Sequence, residues 1–241
     1  MKIMIINPDC GMTENAMALR CRILQKYVAA DTELYMACPQ NSGVEINSAL
    51  DTALAAPEVI NIAVEAQNAG CDAVVLYCFS DPAIDACREA LRIPVIGGAQ
   101  ASCLAALNVC RSFGVMLADG MRLPEKKRFL RTLGVDPSCV SQIAAADLRG
   151  LDPWAQREAT LTQLAACGRQ MVNSGAEAIV LGCLSFLGLA QPLAELLGVP
   201  VIDPAVAAVS TAESIVRQQL LTSKVSYPLL CTLAKERIRE Y

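Results

Sequence analysis

Two cysteines occupy matching positions in two similar stretches of this sequence. The stretch "NAGCDAVVLYCFS" (residues 68–80) aligns with "NSGAEAIVLGCLS" (residues 173–185) at a constant offset of 105, with seven of thirteen positions identical. Cys78 therefore falls on Cys183. Parallel-sheet units resemble each other because buried strands share Val, Ile and Leu, but this does not account for the matched Asn, Gly, Cys and Ser. The pattern favours a duplicated unit.

Two thiols that approach one carbon from opposite sides can invert it. One cysteine, as a thiolate, removes a proton from one face, while the other, as a thiol, delivers a proton to the opposite face. Each sulfur must then lie ~3 to 3.5 Å from the reacting carbon, which places the sulfurs roughly 7 Å apart. A helix N-terminus favours the thiolate form of a nearby cysteine. We therefore expect Cys78 and Cys183 to be catalytic residues that invert a stereocentre next to a carbonyl group.

Residues beside each cysteine are candidates for binding the substrate. The hydroxyls of Ser80 and Ser185, together with backbone N–H groups downstream, could hold a carboxylate or an enolate oxygen. Phe79 and Leu184 directly follow the two cysteines and predict an apolar pocket. We expect all four of these residues to contact the substrate.

The first apolar run of the chain also ends in polar residues, in "NPDCGMT" (residues 7–13). Asn7, Asp9 and Cys10 could hydrogen-bond the amide or ureido part of a substrate. The alternative is a helix N-cap, in which Asp9 or Thr13 binds free backbone N–H groups of the helix that follows. We expect Thr13 to be a cap, and both interpretations remain open for Asn7.

Several other cysteines fall in helical patterns where a small apolar side chain fits the core. Free cysteine is among the most buried residue types, and no neighbouring group makes these thiols reactive. The cysteines interpreted in this way are Cys21, Cys87, Cys110, Cys167 and Cys231.

The composition restricts the available chemistry. The 241 residues include twelve cysteines and no histidine, and no two cysteines stand in a Cys-x-x-Cys spacing. Ser-His and Cys-His nucleophiles are therefore excluded, and the usual zinc, haem and thioredoxin signatures are missing. We expect no metal and no cofactor.

Charge and hydropathy restrict the partners. The formal net charge is −4, and the basic residues are scattered, so we expect no nucleic-acid partner. The longest apolar stretch, residues 178–190, is shorter than the ~20 residues of a membrane helix, and the start "MKIMIINPDCG" is too short for a signal-peptide core. We expect a cytoplasmic protein with a small-molecule substrate, no membrane partner and possible pairing into a homo-oligomer through apolar helices.

Strand-like runs alternate with helical stretches along the whole chain, which predicts an α/β fold. The expected strands are residues 2–8, 33–39, 73–79, 94–97, 112–118, 139–145, 178–184 and 200–203. The expected helices are residues 14–28, 57–69, 85–91, 124–133, 154–173 and 189–197, with further helical spacing from Ala205 to Tyr241.

The repeat predicts two similar Rossmann-like lobes, each with a four-stranded parallel sheet, related by a pseudo-two-fold axis with the active site between them. The expected first lobe is residues 1–99 plus 205–241, and the second is residues 100–204. In open parallel sheets, ligands bind outside the carboxyl ends of the strands. Both cysteines are expected at such ends.

The sequence resembles the Asp/Glu/hydantoin racemase superfamily. The motifs that carry this resemblance are "INPDCGMT", "YCFSDPAI", "IVLGC", "IPVIGG" and "VPVIDP". "CFSDP" is closest to the hydantoin and allantoin racemase branch. The resemblance implies a cofactor-independent racemase or epimerase in which Cys78 and Cys183 transfer the protons, on a 5-substituted hydantoin, allantoin or a related amino-acid derivative.

Other functions remain open at this point. They are an Asp/Glu-type amino-acid racemase, a superfamily isomerase or decarboxylase such as maleate isomerase, and a non-catalytic two-lobed binding protein. Glutamate racemases usually carry Asp-Ser-Gly after the first strand and Cys-Thr-His at the second cysteine, whereas this chain has "PDCG" and "CLSF". Glutamate is therefore disfavoured as the substrate.

Overall fold

The computed structural model describes residues 1–148 and 150–229. In this part of the chain, eight strands form two four-stranded sheets. The strands are β1 (Lys2–Ile6), β2 (Glu33–Ala37), β3 (Ala73–Leu76), β4 (Val95–Gly97), β5 (Phe113–Leu117), β6 (Val140–Ala145), β7 (Ala178–Leu181) and β8 (Val201–Ile202). The α-helices are α1 (Glu14–Leu24), α2 (Ala49–Asn68), α3 (Ile84–Ala90), α4 (Gly98–Leu107), α5 (Leu123–Leu130), α6 (Arg157–Asn173), α7 (Ala190–Leu197) and α8 (Pro204–Arg217).

The two sheets have the same strand order and are parallel throughout. The first sheet has the order β2-β1-β3-β4, and the second has the order β6-β5-β7-β8. Every residue of β3 and of β7 is buried, as expected of central parallel strands that helices cover on both faces. The predicted α/β class and the four-stranded parallel sheets are confirmed.

Each sheet lies in its own compact unit. Among the described residues, unit 1 contains Met1–Gly98 and residues 208–229, and unit 2 contains those between Ala99 and Ala207. The chain leaves unit 1 in α4 and returns to it in α8, where the backbone N–H of Ala29 donates to Glu213 at 3.0 Å.

Apolar helix faces cover the central strands in each unit. In unit 1, Val59 and Ala63 of α2 pack with Val74 and Leu76 of β3. In unit 2, a cluster joins α6, α7 and the segment after Cys183 to the sheet, and its larger members are Met116, Leu164, Met171, Ile179, Leu181, Phe186 and Leu193. The strands that carry the cysteine segments are therefore anchored in the core of each unit.

All eight predicted strands are present, but most are shorter at the carboxyl end than predicted. The strands predicted over residues 73–79 and 178–184 end at Leu76 and Leu181. These strands end where their neighbours end. Leu76 is the last residue of β3 that pairs with β4, through Gly97, and β8, the neighbour of β7, ends at Ile202. The apolar residues beyond these points continue the hydrophobic run without a strand to pair with. Both cysteines thus follow a strand rather than belonging to one.

The bounds of the helices differ from the prediction more than those of the strands do. Helix α2 begins at Ala49, eight residues before the predicted start at Pro57, and passes through the proline. The carbonyl that lacks a donor because of Pro57 belongs to Ala53, which is exposed to water. Helix α4 was not predicted, since nearly every position in "GAQASCLAAL" is small or apolar and no amphipathic face stands out.

The final helix is shorter than its spacing suggested. Helix α8 ends at Arg217, and the left-handed φ of 59° at Gln219 breaks the helical path. Residues 218–229 contain no α-helix. The remainder of the predicted helical tail, with Cys231, lies outside the described residues.

No helix in the described ranges is long and apolar enough to cross a membrane.

The loop after β2 is held by a carboxylate of α2. Glu58 accepts hydrogen bonds from the backbone N–H groups of Asn41, at 3.1 Å, and Ser42, at 2.6 Å. Burial alone would raise the pKa of the Glu58 carboxyl, but these hydrogen bonds outweigh it and keep the pKa below its ordinary value of 4.5. A lowered pKa means that the ionised carboxylate stabilises the folded loop above pH 4.5, and that this stabilisation is lost as the pH falls through the lowered value.

We therefore expect Glu58→Gln to speed amide hydrogen exchange at Asn41 and Ser42 at pH 6, measured by NMR. At a pH below the folded-state pKa of Glu58, the wild-type protein should lose the same protection. Glu65→Gln is the matched control, because Glu65 is an exposed residue of the same helix and lines the same surface groove. Equal exchange in wild type and Glu58→Gln at pH 6 would contradict this assignment.

Candidate active site

In unit 1, the chain leaves β1 and β3 side by side. The backbone N–H of Tyr77 donates to the carbonyl of Ile6 at 2.8 Å, one step beyond the last paired residues. The residues that follow the two strands, Asn7 to Cys10 after β1 and Cys78 to Ser80 after β3, therefore begin at the same edge of the sheet. Cys78 is a half-buried thiol two residues beyond the end of β3.

Unit 2 repeats this arrangement. The backbone N–H of Gly182 donates to the carbonyl of Met116 at 2.7 Å, and Cys183 is a half-buried thiol two residues beyond the end of β7. The register of β5 with β7 matches that of β1 with β3 when the sequence offset of 105 is applied to β7. Cys78 and Cys183 thus occupy the same position in two equivalent sheets.

The two cysteine segments differ in local conformation. After Cys78, the chain turns sharply, with left-handed φ angles of 42° at Asp81 and 57° at Ala83, before α3 begins. After Cys183, residues Leu184–Phe186 form a 3₁₀ turn, and α7 begins four residues later. Asp, unlike most side chains, tolerates the left-handed region, because its short carboxylate can bond locally.

The residues next to the cysteines differ in their exposure to solvent. Phe79 and Leu184 are 3% and 2% exposed, whereas Ser80 and Ser185 are half-buried like the cysteines. The two apolar side chains therefore pack within the protein and anchor their segments. Their predicted contact with a substrate stays a prediction, as does that of the two serines.

The polar residues after β1 hold a loop in place. Asp9 accepts a hydrogen bond from the backbone N–H of Ile46 at 2.8 Å, and the N–H of Cys10 donates to the carbonyl of Val44 at 2.9 Å. Burial raises the pKa of the Asp9 carboxyl, although the bond from Ile46 opposes this shift. The loop after β2 is thus fastened to the sheet edge where Cys78 lies.

The alternatives for these residues are partly resolved. Thr13 is the N-cap of α1, since its hydroxyl accepts from the backbone N–H of Ala16 at 3.3 Å, so the predicted cap is confirmed. Asp9 is not that cap. Asn7 is 2% exposed, and its side-chain amide donates to the carbonyl of Asp9 at 3.2 Å, which shapes the turn.

Three aspartates at the sheet edges were not singled out from the sequence. Asp119 follows β5 as Asp9 follows β1, and it accepts from the backbone N–H of Met121 at 2.8 Å. Asp81 and Asp203 are 4% and 7% exposed. Applying the register of the repeat to β5 would have identified Asp119, and Asp81 stands in the quoted motif "CFSDP".

Asp203 accepts hydrogen bonds from several backbone N–H groups. Its carboxylate accepts from the backbone N–H groups of Gly188, at 2.8 Å, and Ala205, at 3.0 Å. Burial raises the pKa of this carboxyl, while the backbone hydrogen bonds and the Arg157 guanidinium oppose the rise. It joins the end of β8 to the segment that follows Cys183.

The other cysteines fit the interpretation as core residues to different degrees. Cys87 and Cys167 are buried, whereas Cys21 and Cys110 are half-buried. Burial raises the pKa of Cys87 to about 12, and it also raises the pKa values of the other three thiols.

Because a thiol with a pKa near 12 is almost fully protonated at pH 8, we expect Cys87 to resist alkylation in the folded protein. Iodoacetamide treatment followed by peptide mass spectrometry measures this. The same protein in concentrated urea is the control, and there Cys87 should react as fast as the other thiols. Rapid alkylation of native Cys87 would contradict the burial seen in the structure.

Among the described residues, no group of three Cys, Asp or Glu side chains is placed to hold a metal ion.

Comparisons with known proteins identify the family. The family model described as Asp/Glu/Hydantoin racemase matches residues 3–212. A hydantoin racemase from Rhizobium meliloti is 31% identical over an alignment of 245 positions, which covers 99% of each chain. A hydantoin racemase from Pseudomonas sp. (strain NS671) is 35% identical over 231 residues, covering 93% of this chain and 90% of the relative.

A solved structure supports the same family. Allantoin racemase from Klebsiella pneumoniae has a TM-score of 0.83 to this chain at 30% identity, covering 95% of this chain and 94% of the other. The chain therefore belongs to the Asp/Glu/hydantoin racemase family and is a racemase, which confirms the enzyme class predicted from the sequence.

Proposed function

We propose that this racemase inverts a stereocentre next to a carbonyl group in a 5-substituted hydantoin, in allantoin or in a related amino-acid derivative, with Cys78 and Cys183 as its two bases. The observation that carries the proposal is the equivalence of these two thiols. Each is half-buried and lies two residues beyond the central strand of its own four-stranded sheet.

In the proposed reaction, one cysteine as thiolate takes the proton from the stereocentre and becomes a thiol. The electron pair left behind is delocalised into the adjacent carbonyl as an enolate. The other cysteine, a thiol at the start, then donates its proton to the opposite face of the same carbon and becomes a thiolate. The substrate leaves as its mirror image, and the protein holds the same number of protons with the charge moved to the other sulfur.

Several observations support a neutral ring-type substrate. The relatives that cover nearly the whole chain are named hydantoin racemases, and the matching structure is named allantoin racemase. Phe79 and Leu184, next to the cysteines, are apolar and offer no charge to the side chain of an acidic amino acid. The C5–H of a hydantoin is activated by the neighbouring ring carbonyl, so thiolate is a strong enough base for its removal.

The polar residues at the sheet edges have separate tasks in this proposal. Ser80 and Ser185 donate hydrogen bonds to ring carbonyl oxygens, and these bonds strengthen as the enolate forms. Asn7 shapes the turn at the edge of the pocket and contacts the ring amide. Asp9 and Cys10 act mainly by fastening the loop after β2, through Ile46 and Val44.

The test is turnover of single enantiomers. D- and L-5-substituted hydantoins, allantoin, aspartate and glutamate are each incubated with the purified protein, and loss of optical rotation is followed by polarimetry. In D₂O, the product of inversion should carry deuterium at the former stereocentre. We expect racemisation of the hydantoins or allantoin, with aspartate and glutamate unchanged. Inversion of glutamate alone, or no inversion of any hydantoin or of allantoin, would overturn the substrate assignment.

A further inference from the structure

One peptide group after Cys183 is held at both of its ends. Arg157 donates from Nη2 to the carbonyl oxygen of Leu187 at 3.0 Å, and the N–H of Gly188, in the same peptide group, donates to Oδ2 of Asp203 at 2.8 Å. These partners come from the start of α6 and the end of β8. The peptide is therefore fixed against two elements of unit 2.

The backbone between this peptide and Cys183 is continuous and tightly bonded. The N–H of Phe186 donates to the carbonyl of Cys183 at 3.2 Å, and that of Leu187 donates to Leu184, also at 3.2 Å. The N–H of Leu189 donates to Phe186 at 2.9 Å. Because these bonds link each residue to the third along the chain, an anchor at Gly188 restricts the backbone at Cys183.

The two carboxylate oxygens of Asp203 accept hydrogen bonds from different parts of the backbone. Oδ1 accepts from the N–H groups of Ala205 and Val206 and caps the start of α8, while Oδ2 holds Gly188. Gly188 has a left-handed φ of 81°, and a Cβ there would lie 3.3 Å from Arg157 Nη2. The contact is therefore built around a glycine.

Unit 1 also places an aspartate against a glycine, but here the aspartate follows the cysteine and the glycine ends the neighbouring strand. Asp81 belongs to the segment after Cys78, and its carboxylate lies against Gly97 at the end of β4, where a Cβ would come within 2.3 Å of Oδ2. In the sequence repeat, Gly97 aligns with Asp203 at an offset of 106. Each unit thus has a buried aspartate between its cysteine segment and the end of the neighbouring strand, and this aspartate follows the strand in unit 2 but belongs to the cysteine segment in unit 1.

We propose that Asp203 is a positioning residue for Cys183 and that Asp81 is the corresponding positioning residue for Cys78. Each carboxylate fixes the segment that carries the thiol against the adjacent strand end. The inference rests on the proposed function, in which both sulfurs must meet one carbon, and a misplacement of about 1 Å can cost roughly 10²-fold in rate.

Two variants separate positioning from folding. Asp203→Asn keeps the side-chain shape and one acceptor oxygen, so it can still cap α8, but its amide N–H₂ then faces the N–H of Gly188. Asp203→Ser also caps a helix, but it is too short to reach Gly188. Glu195→Gln is the control, an exposed carboxylate in the same unit that accepts from Gln191.

In both Asp203 variants, we expect kcat to fall about tenfold or more while KM stays within about twofold, because the thiol is misplaced and the substrate still binds. Iodoacetamide should alkylate Cys183 roughly threefold faster or more, because its segment is loosened, with the rate at Cys78 unchanged. Asp81→Asn should show the reverse pattern, with Cys78 affected and Cys183 unchanged. Glu195→Gln should match the wild-type protein in all of these measurements.

Equal alkylation of both cysteines in Asp203→Asn and the wild type, while the Gly188 amide exchanges faster, would overturn the proposal. So would failure of both Asp203 variants to fold by circular dichroism, since the carboxylate would then serve the whole unit. Alkylation needs no substrate, so the expected shift at Cys183 in a protein that racemises no hydantoin or allantoin would reject the proposed function and leave the positioning of Cys183 supported.

Discussion

Replacement of either Cys78 or Cys183 by alanine is expected to reduce racemisation of the confirmed substrate by roughly 10²- to 10⁴-fold, because in the proposed mechanism each variant lacks the proton carrier on one face of the carbon. The residual chemistry should differ between the two variants. A single remaining cysteine can remove a proton and return it to the same face. In D₂O, Cys78→Ala should therefore exchange the proton of one enantiomer without inversion, and Cys183→Ala should exchange that of the other.

Chiral chromatography with mass spectrometry measures inversion and exchange in the same sample. Cys21→Ala is the matched control, because Cys21 is also half-buried but lies in α1, and it should leave both rates unchanged. Full turnover in both the Cys78→Ala and the Cys183→Ala variants would exclude the proposed two-base mechanism. Exchange of the same enantiomer in both variants would show that the two thiols act on one face.

The sequence repeat alone predicted that the two cysteines occupy equivalent places in the fold. Buried parallel strands read as continuous apolar runs, and a fixed offset between two such runs places Cys183 on Cys78 without knowledge of the fold. The same runs conceal where each strand ends. Tyr77 and Phe79 continue the hydrophobic run of the strand before them, and β3 ends at Leu76 because its paired residues in β1 and β4 end there, at Ile6 and Gly97.

Other features depend on contacts that sequence spacing does not reveal. The first two turns of α2 had a readable signal, since Ser48 caps the helix by accepting from Asp51 at 3.1 Å, in a Ser-x-x-Asp pattern. Pro57 obscured this signal. No such pattern marks the contact of Asp203 with Gly188, because Gly188 lies fifteen residues earlier and the contact exists only once β8 lies beside β7.

The cysteine segment of unit 2 has an apolar anchor as well as the polar contact with Asp203. Phe186 is fully buried in the cluster that also contains Leu164 and Leu193, and its N–H donates to the carbonyl of Cys183. We expect Phe186→Ala to lower the free energy of unfolding by about 3–5 kcal/mol, since it removes a large aromatic side chain and leaves a cavity that the surrounding sheet and helices fill only in part. Urea denaturation followed by circular dichroism measures this loss.

Leu196→Ala is the control for this change. Leu196 lies in α7, close to the same cluster in sequence, but it is 52% exposed, so its truncation should change the free energy of unfolding by less than about 0.5 kcal/mol. In the same samples, Phe186→Ala should also speed alkylation of Cys183 while Leu196→Ala leaves it unchanged, because only the first variant releases the turn that follows the thiol. A loss below about 1 kcal/mol for Phe186→Ala would contradict the full burial of this side chain, because the lost transfer free energy alone is larger even where no cavity remains, and the 3₁₀ turn would then be held chiefly by the polar contacts at Leu187 and Gly188.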